Sequence, residues 1–417
     1  MVGNGRQAGG GCRRRRRIPR LIVLAAGNTR DAEAWKAYPD SLSTNLIHDP
    51  GQAWNAITVG AYTEKIDTEL PEVEAIAGDG CLSPFTTTSR TWDSAWPLKP
   101  DVVFEGGNAG KDDFGAIGVP SLNLLTTNSR PDERLFTTTN ATSAASALCA
   151  RMAAQLMAAY PDFRPETVRA LIAHSANWTD GMMKMYLTQG VARQNKRDYV
   201  NLIRHCGWGA PDLARALWSA SDSLTLVAED TLFPYAKEKG KIVTRQMNLH
   251  SLPWPREELE ALGQANVQMR VTLSYFVEPN PSARGSASKF YYPSHRLRFD
   301  VKRPLEPSVE EFVSRINAAS ISDDPVGPMH PKDPDWYLGE FQRHRGSLHQ
   351  DVWEGTAADL ASRGFIAVYP ANGWWRTRPA LERYESPTRY SLIVSLRTQQ
   401  TEIDLYNAIA QKLVIEV

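Results

Sequence analysis

The sequence predicts an α/β protein that passes, toward its C-terminal end, into antiparallel β structure. Three observations carry this. Residues 21–26 read LIVLAA, a short apolar run closed by Gly27-Asn28, as in a buried strand and the turn that leaves it. Residues 137–160 read TTTNATSAASALCARMAAQLMAAY. There a mostly polar run ends at Ser143, and Leu148, Met152, Leu156 and Ala159 then recur at helical spacing. Further on, Val267, Met269, Val271, Leu273 and Tyr275 alternate with Gln268, Arg270, Thr272 and Ser274, the period of a half-buried strand.

Size and composition set bounds. A chain of 417 residues is long enough for two domains. Hydrophobic content of 42% and charged content of 23% are those of a globular protein. Formal net charge is zero, so no global field points to nucleic acid or an acidic partner. Cys12, Cys81, Cys149 and Cys206 lie far apart without a C-x-x-C pair. That spacing indicates neither a zinc site nor a disulfide framework and fits a reducing cytoplasm. No apolar run reaches the length of a membrane span, so no membrane partner is expected.

Residues 1–20 read as a disordered, basic, low-complexity leader. MVGNGRQAGGG precedes an unbroken run from Arg13 to Arg17, and no secretory apolar stretch follows it. After the strand at 21–26, residues 55–62, NAITVGAY, form a second short apolar strand. Residues 99–107, KPDVVFEGG, form a third, closed by glycines. The glycine-rich run that follows fails as a phosphate loop: Glu105 stands where the first glycine is required, and Asp112 where Ser or Thr would hold magnesium. In the alanine-rich segment, Ser143 sits at the mouth of a helix, beside unpaired N–H groups and the positive end of the dipole. The alternative reading of that hydroxyl is a helix cap. Residues 165–174, PETVRALIAH, give a second helix with proline at its start. Beyond residue 235, alternation at 267–275, 297–301, 365–369 and 390–397 predicts antiparallel strands and a β-sandwich. Trp336, Trp353, Trp374 and Trp375 read as core or inter-domain packing.

In this order, the segments resemble the subtilisin-like serine protease family. Its A-A-G-N turn is matched at residues 25–28, which implies that Asn28 donates to an oxyanion. Its nucleophile motif, N-G-T-S-x-A-x-P, stands here as Asn140-Ala141-Thr142-Ser143-Ala144-Ala145-Ser146-Ala147. That implies Ser143 as nucleophile, with Ala141 in place of the usual glycine and Ala147 in place of the proline. NAITVGAY, SPFTTTSR at 83–90, KPDVVFEGG, PETVRALIAH and GWGAPD at 207–212 follow the family order. His174 then reads as a structural residue at a helix end. The resemblance implies a partial subtilisin-like parallel sheet with flanking helices at 21–230 and a β-sandwich at 235–417. It also implies a polypeptide substrate, an acyl-enzyme mechanism and no metal or other cofactor.

The family chemistry needs an aspartate and a histidine ahead of the serine. No histidine of the chain is followed by Gly-Thr, and only His48 precedes Ser143. Asp79 precedes a glycine but follows no apolar strand. Because the resemblance starts mid-domain, at Leu21, it implies an N-terminally truncated catalytic domain that is inactive as this chain. His48 is the one unconventional base within the chain order. A chain that keeps the fold without the triad would instead be a non-catalytic binding or scaffold protein.

Overall fold

A computed structural model describes residues 20–93, 96–191, 193–219, 225–252, 254–281, 292–321 and 333–398. The basic leader, Cys12 and His330 lie outside the described residues. Strands β1 (Val23–Ala25), β2 (Ile57–Thr63) and β4 (Val102–Glu105) form a parallel set, with Val23 opposite Ile57 and Val59 opposite Val102. A two-residue strand, β3 (Cys81–Leu82), adds antiparallel to β2. Burial of β2 is nearly continuous, as expected of a strand covered on both faces. β1 has one described partner, β2, and so forms the sheet edge among the described residues. The buried pair Lys99–Asp101 anchors the approach to β4: Lys99 Nζ donates to the Ala56 carbonyl, and Asp101 accepts from Thr58 N–H.

Helix α1 (Ala141–Ala159) lies on this sheet. Its Ala145, Cys149, Met152, Ala153 and Leu156 meet Ile57, Val59, Ala61 and Val102 in one apolar cluster. Leu148 is only half-buried and Ala159 is exposed, so the buried stripe is rotated from the one the spacing suggests. Small residues on this face let the helix approach the strands closely. Ahead of α1 stands a hairpin the sequence reading missed, made of β5 (Leu124–Thr127) and β6 (Phe136–Thr139). Among the described residues it belongs to no larger sheet.

Among the described residues the C-terminal part holds two larger antiparallel sheets and a separate hairpin of Tyr235–Glu238 with Lys241–Thr244. One larger sheet runs β7 (Thr225–Leu232), β13 (Thr388–Thr398), β9 (Asn266–Tyr275), β11 (Leu348–Thr356) in spatial order. The other runs β8 (Asn248–Ser251), β12 (Phe365–Ala371), β10 (Arg296–Val301). Met269, Val271 and Leu273 of the first meet Leu297, Phe299, Ile366 and Val368 of the second in a shared core. Trp336 and Trp353 belong to that core, and Trp374 and Trp375 to a separate cluster with Tyr235. Among the described residues four helices, Arg256–Leu262, Val309–Ile321, Ala357–Ala361 and the short Trp374–Thr377, interrupt the strands, which the alternation did not announce.

One expectation is overturned here. The half-buried strand expected at 267–275 would leave the polar face of β9 to solvent, but Arg270 is 8% exposed and Thr272 and Ser274 are fully buried. Helix α2 (Pro165–Ser175) covers them. Arg169 of α2 donates to Ser274 Oγ and to the carbonyls of Trp54, Tyr275 and Ser347. His174 bridges Thr272 Oγ1 at 2.9 Å and Ser395 Oγ at 2.7 Å. Arg270 in turn donates to the His174 carbonyl at 2.8 Å. The polar half of the alternation marks a satisfied buried interface rather than a wet surface.

Candidate active site

The helix bearing Ser143 begins two residues earlier than expected. Asn140 is its extended cap residue, with φ −149°, and Ser143 is the third helical residue rather than a cap. The Asn140 side chain makes no capping bond; its Nδ2 donates to Asn123 Oδ1 at 3.1 Å. The early start comes from Ala141, which adopts φ 63° and donates its N–H to the Gly106 carbonyl at 2.6 Å. This left-handed conformation favours glycine, the residue the family motif carries at this place. Gly106 permits the approach: a Cβ there would fall 2.4 Å from the Ala61 Cβ.

Ser143 is exposed, and neither its hydroxyl nor its backbone N–H has a hydrogen-bond partner among the described residues. Asn28 is brought beside it by Thr142. The Thr142 N–H donates to Asn28 Oδ1 at 3.0 Å across 114 positions. The Thr142 hydroxyl reaches the same oxygen and also accepts from Gly27 N–H at 3.2 Å. An N–H donor on one side of the amide fixes its oxygen there, so Nδ2 is turned away from Thr142. Nδ2 makes no hydrogen bond among the described residues. The site thus presents a free side-chain donor and a free backbone donor next to an exposed hydroxyl at a positive helix end. Thr142, which fixes the amide, was not singled out by the sequence reading. Its signal was present as the third residue of N-A-T-S, but the pairing it makes is tertiary.

No described histidine hydrogen-bonds Ser143. His174 is held within the interface under β9, where burial pushes its pKa well below the ordinary histidine value. His205 stacks on Tyr186 and is pushed down to about 4 by burial. His250 contacts the Tyr390 hydroxyl, and His295, His344 and His349 lie inside the C-terminal part. His48 differs. It is exposed, its N–H bonds to the Ala26 carbonyl, and its ring lies so close to Gly27 that a Cβ at 27 would fall 2.6 Å from the His48 Cγ. It is therefore a neighbour of the Asn28 turn without a bond to the serine. Among the described residues, no group of three or more His, Cys, Asp or Glu side chains could hold a metal ion. No described helix is long and apolar enough to cross a membrane.

Comparison with known proteins gives a family match. The subtilase family model matches residues 2–209. An uncharacterised protein of Sinorhizobium fredii, y4bN, is 27% identical, and the match covers 71% of each chain. Two solved structures are also similar. A protease from Pseudoalteromonas arctica is 18% identical over 48% of this chain and 42% of its own, with a TM-score of 0.29. MycP1 from Mycobacterium smegmatis is 18% identical over 47% of this chain and 41% of its own, with a TM-score of 0.24. The chain thus spans less than half the length of those two structures. The family assignment rests on the sequence match: through residues 2–209, the chain belongs to the subtilase family, whose members are serine peptidases of polypeptides.

Proposed function

We propose that the protein is a serine endopeptidase in which Ser143 forms the acyl-enzyme. Asn28 Nδ2 and the Ser143 N–H would donate to the tetrahedral oxyanion. The observation that carries the reading is the Thr142–Asn28 clamp, which turns an amide donor free beside an exposed serine. In the first step Ser143 Oγ bonds to the scissile carbonyl carbon. Its proton passes to a base, and the carbonyl oxygen takes the electron pair. Loss of one oxyanion donor costs about 10²–10³ in turnover, a figure borrowed from subtilisin itself.

The proton acceptor is what the described residues do not place at Ser143. We therefore propose that the 417-residue chain alone is catalytically silent, and that an Asp and a His must be supplied by a further segment or partner. The two antiparallel sheets around one core support reading 235–417, together with β7, as a β-sandwich beside the peptidase region.

Labelling with a fluorophosphonate probe, which requires an activated serine, tests the proposal. The chain alone is expected to remain unlabelled. Supplying a D-[ST]-G and H-G-T segment should bring labelling, and Ser143→Ala should abolish it. Labelling of Ser143 in the chain alone would instead point to His48 or a partner as the base. Failure of the supplied segment to bring labelling would favour the scaffold reading.

A further inference from the structure

We propose that the β5–β6 hairpin is an accessory binding strip that takes an extended polypeptide with apolar side chains at alternate positions. The proposal rests on the peptidase reading, since the occupant is a stretch of the same chain whose bond lies at Ser143.

Three observations point to it. First, the hairpin exposes large apolar side chains: Leu125 is 72% exposed, Leu135 66% and Phe136 56%. Leu125 lies opposite Thr138 and Phe136 opposite Thr127, so Leu125 and Phe136 share one face. Polar side chains would occupy an idle surface hairpin, and a grouped apolar face marks an interaction site. Second, the hairpin is two-stranded and joins no larger sheet among the described residues, so both its outer edges carry backbone groups that no described strand pairs. A lone hairpin is marginal in water, and a third strand would complete it. Third, the hairpin is continuous with the candidate site. β6 ends at Thr139 and Asn140 begins the Ser143 helix. The Asn140–Asn123 bond clamps the hairpin base at the helix mouth. A chain threaded past Ser143 therefore has this edge beside it.

The charged tip argues against a nucleic-acid or strongly charged occupant. Arg130 and Glu133 pair with each other, and Asp132 and Arg134 balance in sign, so the tip has no excess field. What remains for recognition is backbone hydrogen bonding and apolar burial.

The test is fluorescence anisotropy with the full chain and a fluorescein-labelled peptide carrying Leu or Phe at alternate positions. A matched peptide with Ser at those positions serves as control. The native chain and Ser143→Ala are expected to bind the apolar peptide equally. Leu125→Ser with Phe136→Ser should weaken binding about tenfold or more, because two apolar side chains lose their burial. Both positions are exposed, and an unchanged circular dichroism spectrum will show that the fold is retained. A photo-crosslinker on one apolar residue of the peptide should attach within residues 124–139. Absence of binding, binding indifferent to the double substitution, or crosslinks elsewhere would overturn the proposal. So would a dimer of the free chain that the double substitution disperses, since the face would then belong to a second copy. The peptidase reading fails separately: hairpin-dependent binding without fluorophosphonate labelling even when the D-[ST]-G and H-G-T segment is supplied would leave a peptide-binding protein that does not cleave.

Discussion

The two ends of the peptidase region treat polar groups in opposite ways. At the mouth of α1, the Ser143 N–H and the Asn28 Nδ2 make no hydrogen bond among the described residues, while Asn28 Oδ1 is held by Thr142. Under β9, Arg169 uses its donors on carbonyls and hydroxyls from three distant segments, and both ring nitrogens of His174 are bonded. An unsatisfied donor is tolerated where water or a substrate can reach it and is costly where neither can. The open end thus has the character of a site, and the closed end that of a fastening between the peptidase region and the β-rich part.

The largest test of this contrast is acid. Burial pushes His295 and His349 down to about 3 and His205 to about 4. In the unfolded chain these groups titrate near 6.5, at about 1.4 kcal/mol per group per pH unit. Above that pH both states are neutral and the groups leave stability unchanged. Below it the unfolded chain binds protons that the folded chain excludes, so stability falls as pH drops toward the folded values. At pH 5 the loss is about 2 kcal/mol for each group. Urea midpoints measured between pH 7.5 and 5 should fall steeply. A flat profile would mean that these histidines are not buried neutral.

Arg169→Met comes next. The carbonyls of Trp54, Tyr275 and Ser347 would each lose an arginine donor inside the interface, although Ser347 Oγ still reaches the first and Tyr275 N–H the last, for a loss of about 3–5 kcal/mol. Urea unfolding should split into two transitions as the β-rich part uncouples. A loss under about 1 kcal/mol would show the interface to be held by its apolar contacts instead.

The smallest effect is expected at the open end. Ala141→Gly removes the left-handed strain and should stabilise the protein by about 0.5–1 kcal/mol, after the entropy cost of glycine. Ala150→Gly, on the exposed face of the same helix, should cost about 1 kcal/mol. Opposite signs for one chemical change would locate the strain. Equal losses would remove it.

Much of the open end was legible in the sequence. LIVLAAGN announces a strand and turn by its run of apolar and small residues, and Ser143 stands where polarity gives way to helical spacing. The clamp of Thr142 on Asn28 spans 114 positions, and periodicity carries no information about such a pair. Only the family resemblance brought the two ends together. The helix start was misplaced because Ala141 and Thr142 look like the preceding polar run, whereas backbone bonding to Gly106 draws them into the helix. The β5–β6 hairpin was missed because its strands are short and threonine-rich. At the closed end, the alternation of β9 gave the strand correctly but not the cover over its polar face. A polar residue under a helix and one under water share the same period.

The Arg169 fastening also sets a timetable for synthesis. Its last acceptor, Ser347, lies 178 positions downstream. At about 5–20 residues per second, a ribosome reaches that residue roughly 9–36 s after making the arginine. Throughout that interval the peptidase region carries an arginine whose native acceptors do not yet all exist. Contacts this distant in sequence also close slowly. The nascent N-terminal part therefore cannot complete this fastening until the β-rich part emerges to receive it.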